Sequence, residues 1–177
     1  MSAAETIMDV AEARMRQLGF GAVSFRTIAD EVGIKSASLH YHFPNKADLG
    51  ARLVERYAER FAKRLAEAAP DNMDPAARLS AYVELYRAAL GDDNTVCLCA
   101  MLGSEIMRLP DAVAEAVREF VQTQLAWLRG VYVELDDAKP DRHAHATLAA
   151  LQGGMILSGV LANEAAFEAA ALNVLTN

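Results

Sequence analysis

The chain has 177 residues, 53% of them apolar and 23% charged, with a formal net charge of −7 and a pI near 5.1. Such a length corresponds to about one domain, or a small one fused to a larger one, and hides about 70% of the unfolded surface, which excludes disorder for most of the chain. An acidic balance argues against nucleic acid as a partner unless the charge is unevenly placed.

Helical punctuation runs from end to end, while alternating strand patterns and Asn-Gly or Asp-Gly hairpin turns are absent. The expected fold class is therefore all-α, with about nine helices. Ser2 and Glu5 form a capping box that opens the first helix; Ile7, Ala11, Met15 and Leu18 share a face, and Gly19 can supply the left-handed residue at its end. Ser24 caps a short helix over 25–31, Gly33 turns the chain, and a second short helix over 35–43 stops at Pro44. Asn45 and Asp48 repeat the cap pattern before a long amphipathic helix over 45–69, which carries Leu49, Leu53, Tyr57, Phe61 and Leu65 at helical spacing. Between Pro70 and Pro75 lies a turn that marks a boundary, with Asp74 as cap and Pro75 as the first helical residue. Further helices are drawn from there to Gly91, over 97–107 after a turn at 92–95, over 111–135, over 141–161 and over 164–175. The resulting division is a head over 1–48, a linking helix over 45–69, and a second part over 70–177.

Within 24–49, two short helices joined through Gly33 have helix-turn-helix architecture. Ile28, Ala29, Val32, Ile34, Leu39 and Phe43 are apolar at spacings that pack the pair on the first helix. The other side chains of the second short helix, Lys35, Ser36, Ser38, His40, Tyr41 and His42, are polar or amphipathic and suit phosphates and base edges. Thr27 and Lys46, each in a first helical turn, can donate to phosphate oxygens with help from the helix dipoles. Taken on spacing alone, a solvated helix pair with no DNA role is the alternative.

Residues Phe25-Arg26-Thr27-Ile28-Ala29-Asp30-Glu31-Val32-Gly33, followed by Ser38-Leu39-His40-Tyr41-His42-Phe43-Pro44-Asn45-Lys46-Ala47-Asp48-Leu49 and preceded by Gly19-Phe20, resemble the N-terminal domain of the TetR family of transcriptional regulators. The resemblance implies a homodimer, a three-helix DNA-binding head and a six-helix C-terminal domain that binds a small effector. It also implies DNA contacts at Thr27, Lys35, Ala37, Tyr41, His42 and Lys46, with His40 where an aromatic or polar residue is common.

In the second part, Tyr82, Tyr86, Met101, Met107, Trp127 and Met155 can line an effector pocket; aromatics and methionines at helical spacing also serve as core. The segment from Cys97 to Glu119 resembles the matching part of TetR-type regulators that respond to electrophiles such as N-ethylmaleimide, in which a Gly-Cys-Leu run opens the sixth helix. Cys97 occupies the sensor's place, with Val96 where those proteins have glycine, and the same Cys-Leu run occurs in relatives with ordinary small-molecule effectors. A helix start favours thiolate, which is the chemistry sensing needs; two small buried hydrophobes are the alternative for Cys97 and Cys99.

Two cysteines this close cannot staple a secreted fold, and Glu5, Asp9 and Glu12 interrupt the apolar run that a signal peptide needs. The stretch 144–162 contains His145, Thr147, Gln152 and Ser158 and reads as short of a membrane span. A reduced, cytoplasmic protein with no membrane partner is expected. The pairs His40, His42 and His143, His145 have a spacing of two, unlike helical metal pairs, and no catalytic or cofactor fingerprint is present. No enzyme activity, metal or cofactor is therefore expected.

The helices over 141–161 and 164–175 carry Leu148, Leu151, Met155, Phe167 and Val174, with a small-residue strip of Gly153, Gly154, Ser158 and Gly159. Two such helices per subunit can build a four-helix homodimer interface; an internal core helix is the alternative. The sequence thus reads as a ligand-responsive regulator of a palindromic double-stranded operator, most simply a repressor. A helical interaction module without ligand-controlled DNA binding is the other reading. Charge distribution supports the first. Residues 1–69 hold ten Lys/Arg against nine Asp/Glu and the remainder seven against fifteen, and no acidic residue lies between Lys35 and Lys46.

Overall fold

Helix ends leave backbone N–H groups without partners, and side chains placed just ahead of each helix take them up. In the computed structural model, which describes residues 2–91 and 96–176, Ser2 accepts the Glu5 N–H at 3.2 Å while the Glu5 carboxylate accepts the Ser2 N–H at 2.6 Å. This box opens α1 (Ala3–Ala22). Ser24 and Thr27 act in the same way for α2 (Phe25–Val32), which ends on Gly33 in the left-handed region at φ 76°. After α3 (Ser36–His42), the Asn45 side-chain Oδ1 accepts the Asp48 N–H at 3.0 Å and starts α4 (Lys46–Ala68). Asp74 caps α5 (Pro75–Gly91) through the N–H groups of Ala76 and Ala77 at 3.0 and 3.1 Å. Then follow α6 (Leu98–Ser104), a 3-10 turn (Ile106–Arg108), α7 (Asp111–Glu134), α8 (Pro140–Leu161) and α9 (Ala165–Thr176). Among the described residues the protein is all-α, with nine α-helices and no strand; the turn read at 92–95 lies outside the described residues.

Two boundaries differ from the sequence reading. Gly19 has the expected positive φ, 79°, but with ψ 170° it kinks α1, which resumes helical turning to Ala22. The helix drawn over 97–107 breaks after Ser104: Glu105 N–H bonds to Leu102 and Arg108 N–H to Glu105, both three residues back, tightening the chain into a 3-10 turn. Pro110 follows and holds Leu109 extended, so no helix can continue through it.

The chain forms two compact units, residues 1–58 with 98–120, and 59–97 with 121–177. The unit that contains the head therefore includes α6 and the start of α7, which the sequence division assigns to the second part. In this first unit Ile7, Ala11 and Met15 of α1 pack with Ile28, Ala29, Leu39, Phe43, Leu49 and Leu53, all buried, whereas Val32 and Ile34 stay partly exposed. Arg56 of α4 reaches Asp9 and Glu12 of α1 at 2.9 and 3.2 Å, and Arg14 reaches Glu31 at 2.6 Å. A Cβ at Gly50 would lie 2.8 Å from the Phe20 ring and 2.9 Å from Val113, so bare backbone is what lets α4 approach them.

The second unit is built on Tyr82, Val83, Tyr86 and Leu90 of α5, Leu128 and Val131 of α7, Leu151 and Met155 of α8, and Phe167 and Ala171 of α9. Arg78, buried, makes two bonds to the Glu134 carboxylate at 2.8 and 2.9 Å and one to Asp71 at 3.2 Å, fastening the start of α5 to the end of α7. By length and composition α8, 22 residues that include an 18-residue stretch of mean hydropathy 1.3, is apolar enough to cross a membrane, contrary to the sequence reading. One side of it packs within the unit: Leu148, Leu151 and Met155 are buried, and Gly154 admits α9 so closely that a Cβ there would stand 3.1 Å from Phe167 and Ala170.

Candidate nucleic-acid interface and effector cavity

With one residue of α3 wholly buried, Leu39, and Phe43 buried just after it, the helix is anchored from one side. Lys35, Ser36, Ala37, Ser38, His40, Tyr41 and His42 are all exposed, as a reading face requires. Tyr41 is 86% exposed, a large aromatic ring that contributes nothing to the core, and it stands edge-on to His42 at 5.2 Å. His40 leans back instead: its ring lies 4.8 Å from that of Phe25, and its Nδ1 is 3.3 Å from the Pro44 carbonyl.

Thr27 is exposed, but its hydroxyl donates to the Ser24 carbonyl at 2.8 Å and accepts the Ser24 N–H at 3.1 Å. Its side chain is thus committed to the α2 cap, and a phosphate at this helix start meets backbone N–H groups first. Lys46, the first residue of α4, is half-buried with its ammonium 4.3 Å from the centre of the Phe20 ring. Burial pushes its pKa down, and the carboxylate of Glu105 pulls it back up. While Arg14 and Arg56 are paired inside the unit, Arg26 and Lys35 carry no ion pair among the described residues. Arg26, exposed one residue from Thr27, is a cation the sequence reading did not single out.

A cavity of about 420 Å³ lies in the second unit, walled by Leu65, Ala66 and Ala69 of α4 and by Thr123, Gln124 and Trp127 of α7. Gln124 is only 3% exposed, and its carboxamide oxygen has no hydrogen-bond partner among the described residues. Of the six residues predicted to line an effector pocket, Trp127 lines this cavity. Tyr82 and Tyr86 are buried core, their hydroxyls 3.4 Å apart, and Tyr82 stacks on Trp127 at 5.2 Å. Met155 is fully buried, Met101 half-buried, and Met107 stands 93% exposed on the 3-10 turn. Cys97 immediately precedes α6, as expected, but it and Cys99 are buried thiols, outside any disulfide among the described residues and 2% and 1% exposed. Neither Gln124 nor Glu105 was singled out from the sequence.

Residues 7–53 match the tetR family of bacterial regulatory proteins. The transcriptional regulator AcuR of Cereibacter sphaeroides is 27% identical over 112 residues, which are 62% of this chain and 51% of that protein, so the chain spans about half the length of the curated relative it matches. Over 98% of this chain and 96% of the other, the fold matches a TetR transcriptional regulator from Legionella pneumophila with a TM-score of 0.92 and 26% identity. The reduced form of NemR from E. coli matches over 98% of this chain and 95% of its own with a TM-score of 0.85; at 19% identity that likeness concerns the fold alone.

Proposed function

We propose that this chain, a TetR-family regulator by its residues 7–53 and its fold, is a cytoplasmic homodimer that binds a palindromic double-stranded operator and is released from it by a small molecule. The observation that carries the DNA half is the face of α3, seven residues of which one is buried, presenting an exposed Tyr41 among hydroxyls, imidazoles and an unopposed Lys35. Lys35 and Lys46 neutralise phosphates, Tyr41 and His42 meet base edges or sugar, and Ser36, Ala37 and Ser38 let the helix lie close in the major groove. Thr27 keeps α2 capped at the backbone.

The dimer reading rests on the far end of the chain. Ile156, Leu157, Val160 and Leu161 of α8 and Leu172 and Leu175 of α9 are exposed on adjacent helices, an apolar area that a second copy would cover. The effector reading rests on the Gln124 cavity. Its volume suits a small organic molecule, and its unpaired buried oxygen asks for a hydrogen-bond donor, so the ligand has an apolar body and a hydroxyl or N–H. Both thiols being buried, a non-covalent ligand suits this conformation better than an electrophile at Cys97. Release demands about 5.5 kcal/mol of differential binding, which two effector sites in a dimer can share. The cavity is walled by α4, the helix whose first residue is Lys46, so a ligand there and a phosphate at Lys46 bear on one element.

Gel shift on the DNA adjoining the protein's own gene tests the reading. Wild type is expected to retard it, Tyr41→Ala to lose the sequence preference, and Lys46→Ala to weaken binding to all duplexes alike. Retardation no stronger than on random duplex, unchanged in both variants, points instead to a helical interaction module.

A further inference from the structure

The ring of His40 is held at two points: its centre lies 4.8 Å from that of Phe25, the first residue of α2, and its Nδ1 is 3.3 Å from the Pro44 carbonyl, just past the end of α3. A carbonyl oxygen can only accept, so Nδ1 carries the proton, and in the neutral imidazole Nε2 then has a lone pair and no hydrogen. This is the reverse of the tautomer that a free histidine side chain favours. Nε2 has no partner among the described residues, and His40 is exposed. The ring of His42 stands edge-on to Tyr41 at 5.2 Å, and no hydrogen bond among the described residues selects its tautomer. Around them, Lys35 only donates, while the hydroxyls of Ser36, Ser38 and Tyr41 rotate to do either. Because α3 contains no Asp, Glu, Asn or Gln, His40 is the one side chain on it whose neutral form is fixed as an acceptor.

We propose that His40 is a specificity-determining residue, whose Nε2 accepts a hydrogen bond from the exocyclic amine of an adenine or a cytosine in the major groove. Those amines are the donors that the groove offers; guanine O6 and N7 and thymine O4 are acceptors and oppose the same lone pair. The inference rests on the reading of α3 as the helix that enters the groove, and its experiment has an arm that needs no DNA.

In the full chain alone, nitrogen-to-proton NMR correlations at about pH 8, where imidazoles are neutral, are expected to show His40 protonated at Nδ1; protonation at Nε2 overturns the proposal. For the DNA arm, duplexes that wild type selects from a random pool are remade with purine for each adenine, or pyrimidinone for each cytosine, in turn, which deletes the amine. At one position per half-site, this deletion is expected to weaken wild type about fivefold more than His40→Ala, read by fluorescence anisotropy. His40→Asn retains an amide N–H for the Pro44 carbonyl and offers nothing at the place of Nε2, so it restores a merely structural role and is expected to behave as His40→Ala does. A position whose sensitivity returns in His40→Asn, or variants that weaken every duplex alike with no position singled out, overturns the proposal. If wild type binds no duplex, the regulator reading falls and this assignment with it; if it selects a sequence whose preferences His40→Ala leaves intact, this assignment falls alone.

Discussion

Gly19 and Gly33 both have positive φ, yet they answer to different constraints. Nothing lies within 4 Å of a Cβ built on Gly33, so Gly33→Ala carries only left-handed strain, about 1–2 kcal/mol. Gly19→Ala carries the same strain and also obliges the Glu105 carboxylate, whose Oε2 accepts the Gly21 N–H at 3.4 Å, to move off the kink, so it is expected to lose slightly more; a smaller loss than for Gly33→Ala in urea unfolding contradicts the seating of that carboxylate. A second residue-scale expectation concerns Asp137, which bonds the His143 ring and accepts the Lys139 N–H at 2.7 Å. These bonds hold its carboxyl below the usual range, the one to His143 contributing most. A lowered folded pKa gives stability that is present above the unfolded value, about 3.9, and lost as pH falls through the folded one. Asp137→Asn should therefore be less stable than wild type at pH 7, with the gap closing below about pH 4; a gap that persists in acid removes this account. The turn glycine Gly33 was legible in the sequence because its signal is local, flanked by a cap and two apolar runs. Glu105 was not, because its partner Gly21 stands 84 residues away and nothing in an acidic residue beside a proline-bounded turn announces a docking site.

Among the elements, helix starts were the most legible, since Ser2, Ser24, Asn45 and Asp74 each carry a cap within three or four residues of the N–H they accept. The small-residue strip of α8 was read as one surface and divides in two. Gly154 and Ser158 face α9 in the same chain, where Ser158 Oγ accepts the buried Phe167 N–H at 3.1 Å, while Gly153 and Gly159 face open space. Helical spacing groups residues by angle but does not say which neighbour covers them. Ser158→Ala leaves that N–H without an acceptor and is expected to cost about 1–3 kcal/mol in chemical unfolding, whereas Gly159→Ala should cost little of that kind. Equal effects contradict the division. The cavity was illegible for a related reason: a glutamine on a helix reads as a solvated position until α4 and α7 are brought together. As the chain's single tryptophan lines it, ligand occupancy should perturb Trp127 fluorescence. A phenol is expected to bind better than its methyl ether, and Gln124→Leu to erase that preference; a preference that Gln124→Leu leaves intact puts the donor elsewhere.

At the scale of the whole molecule, a net charge of −7 first argued against nucleic acid, and the arrangement of charge reverses the argument. Arg14 and Arg56 are neutralised by carboxylates of α1 and α2, Lys46 lies over the Phe20 ring, and Arg26 and Lys35 remain without an ion pair among the described residues. These two cations flank or belong to the helix pair that offers Tyr41 to solvent. The exposed leucines, isoleucine and valine of α8 and α9 supply the second requirement, a face on which two copies can meet so that two heads read one duplex. Selection from a pool of random duplexes, with the bound species sized by sedimentation, tests both at once. The account predicts an inverted repeat whose half-site centres lie about 34 Å or a multiple apart, held by a dimer, with enrichment lost in Tyr41→Ala. No enrichment over the starting pool, or enrichment that Tyr41→Ala leaves unchanged, contradicts it.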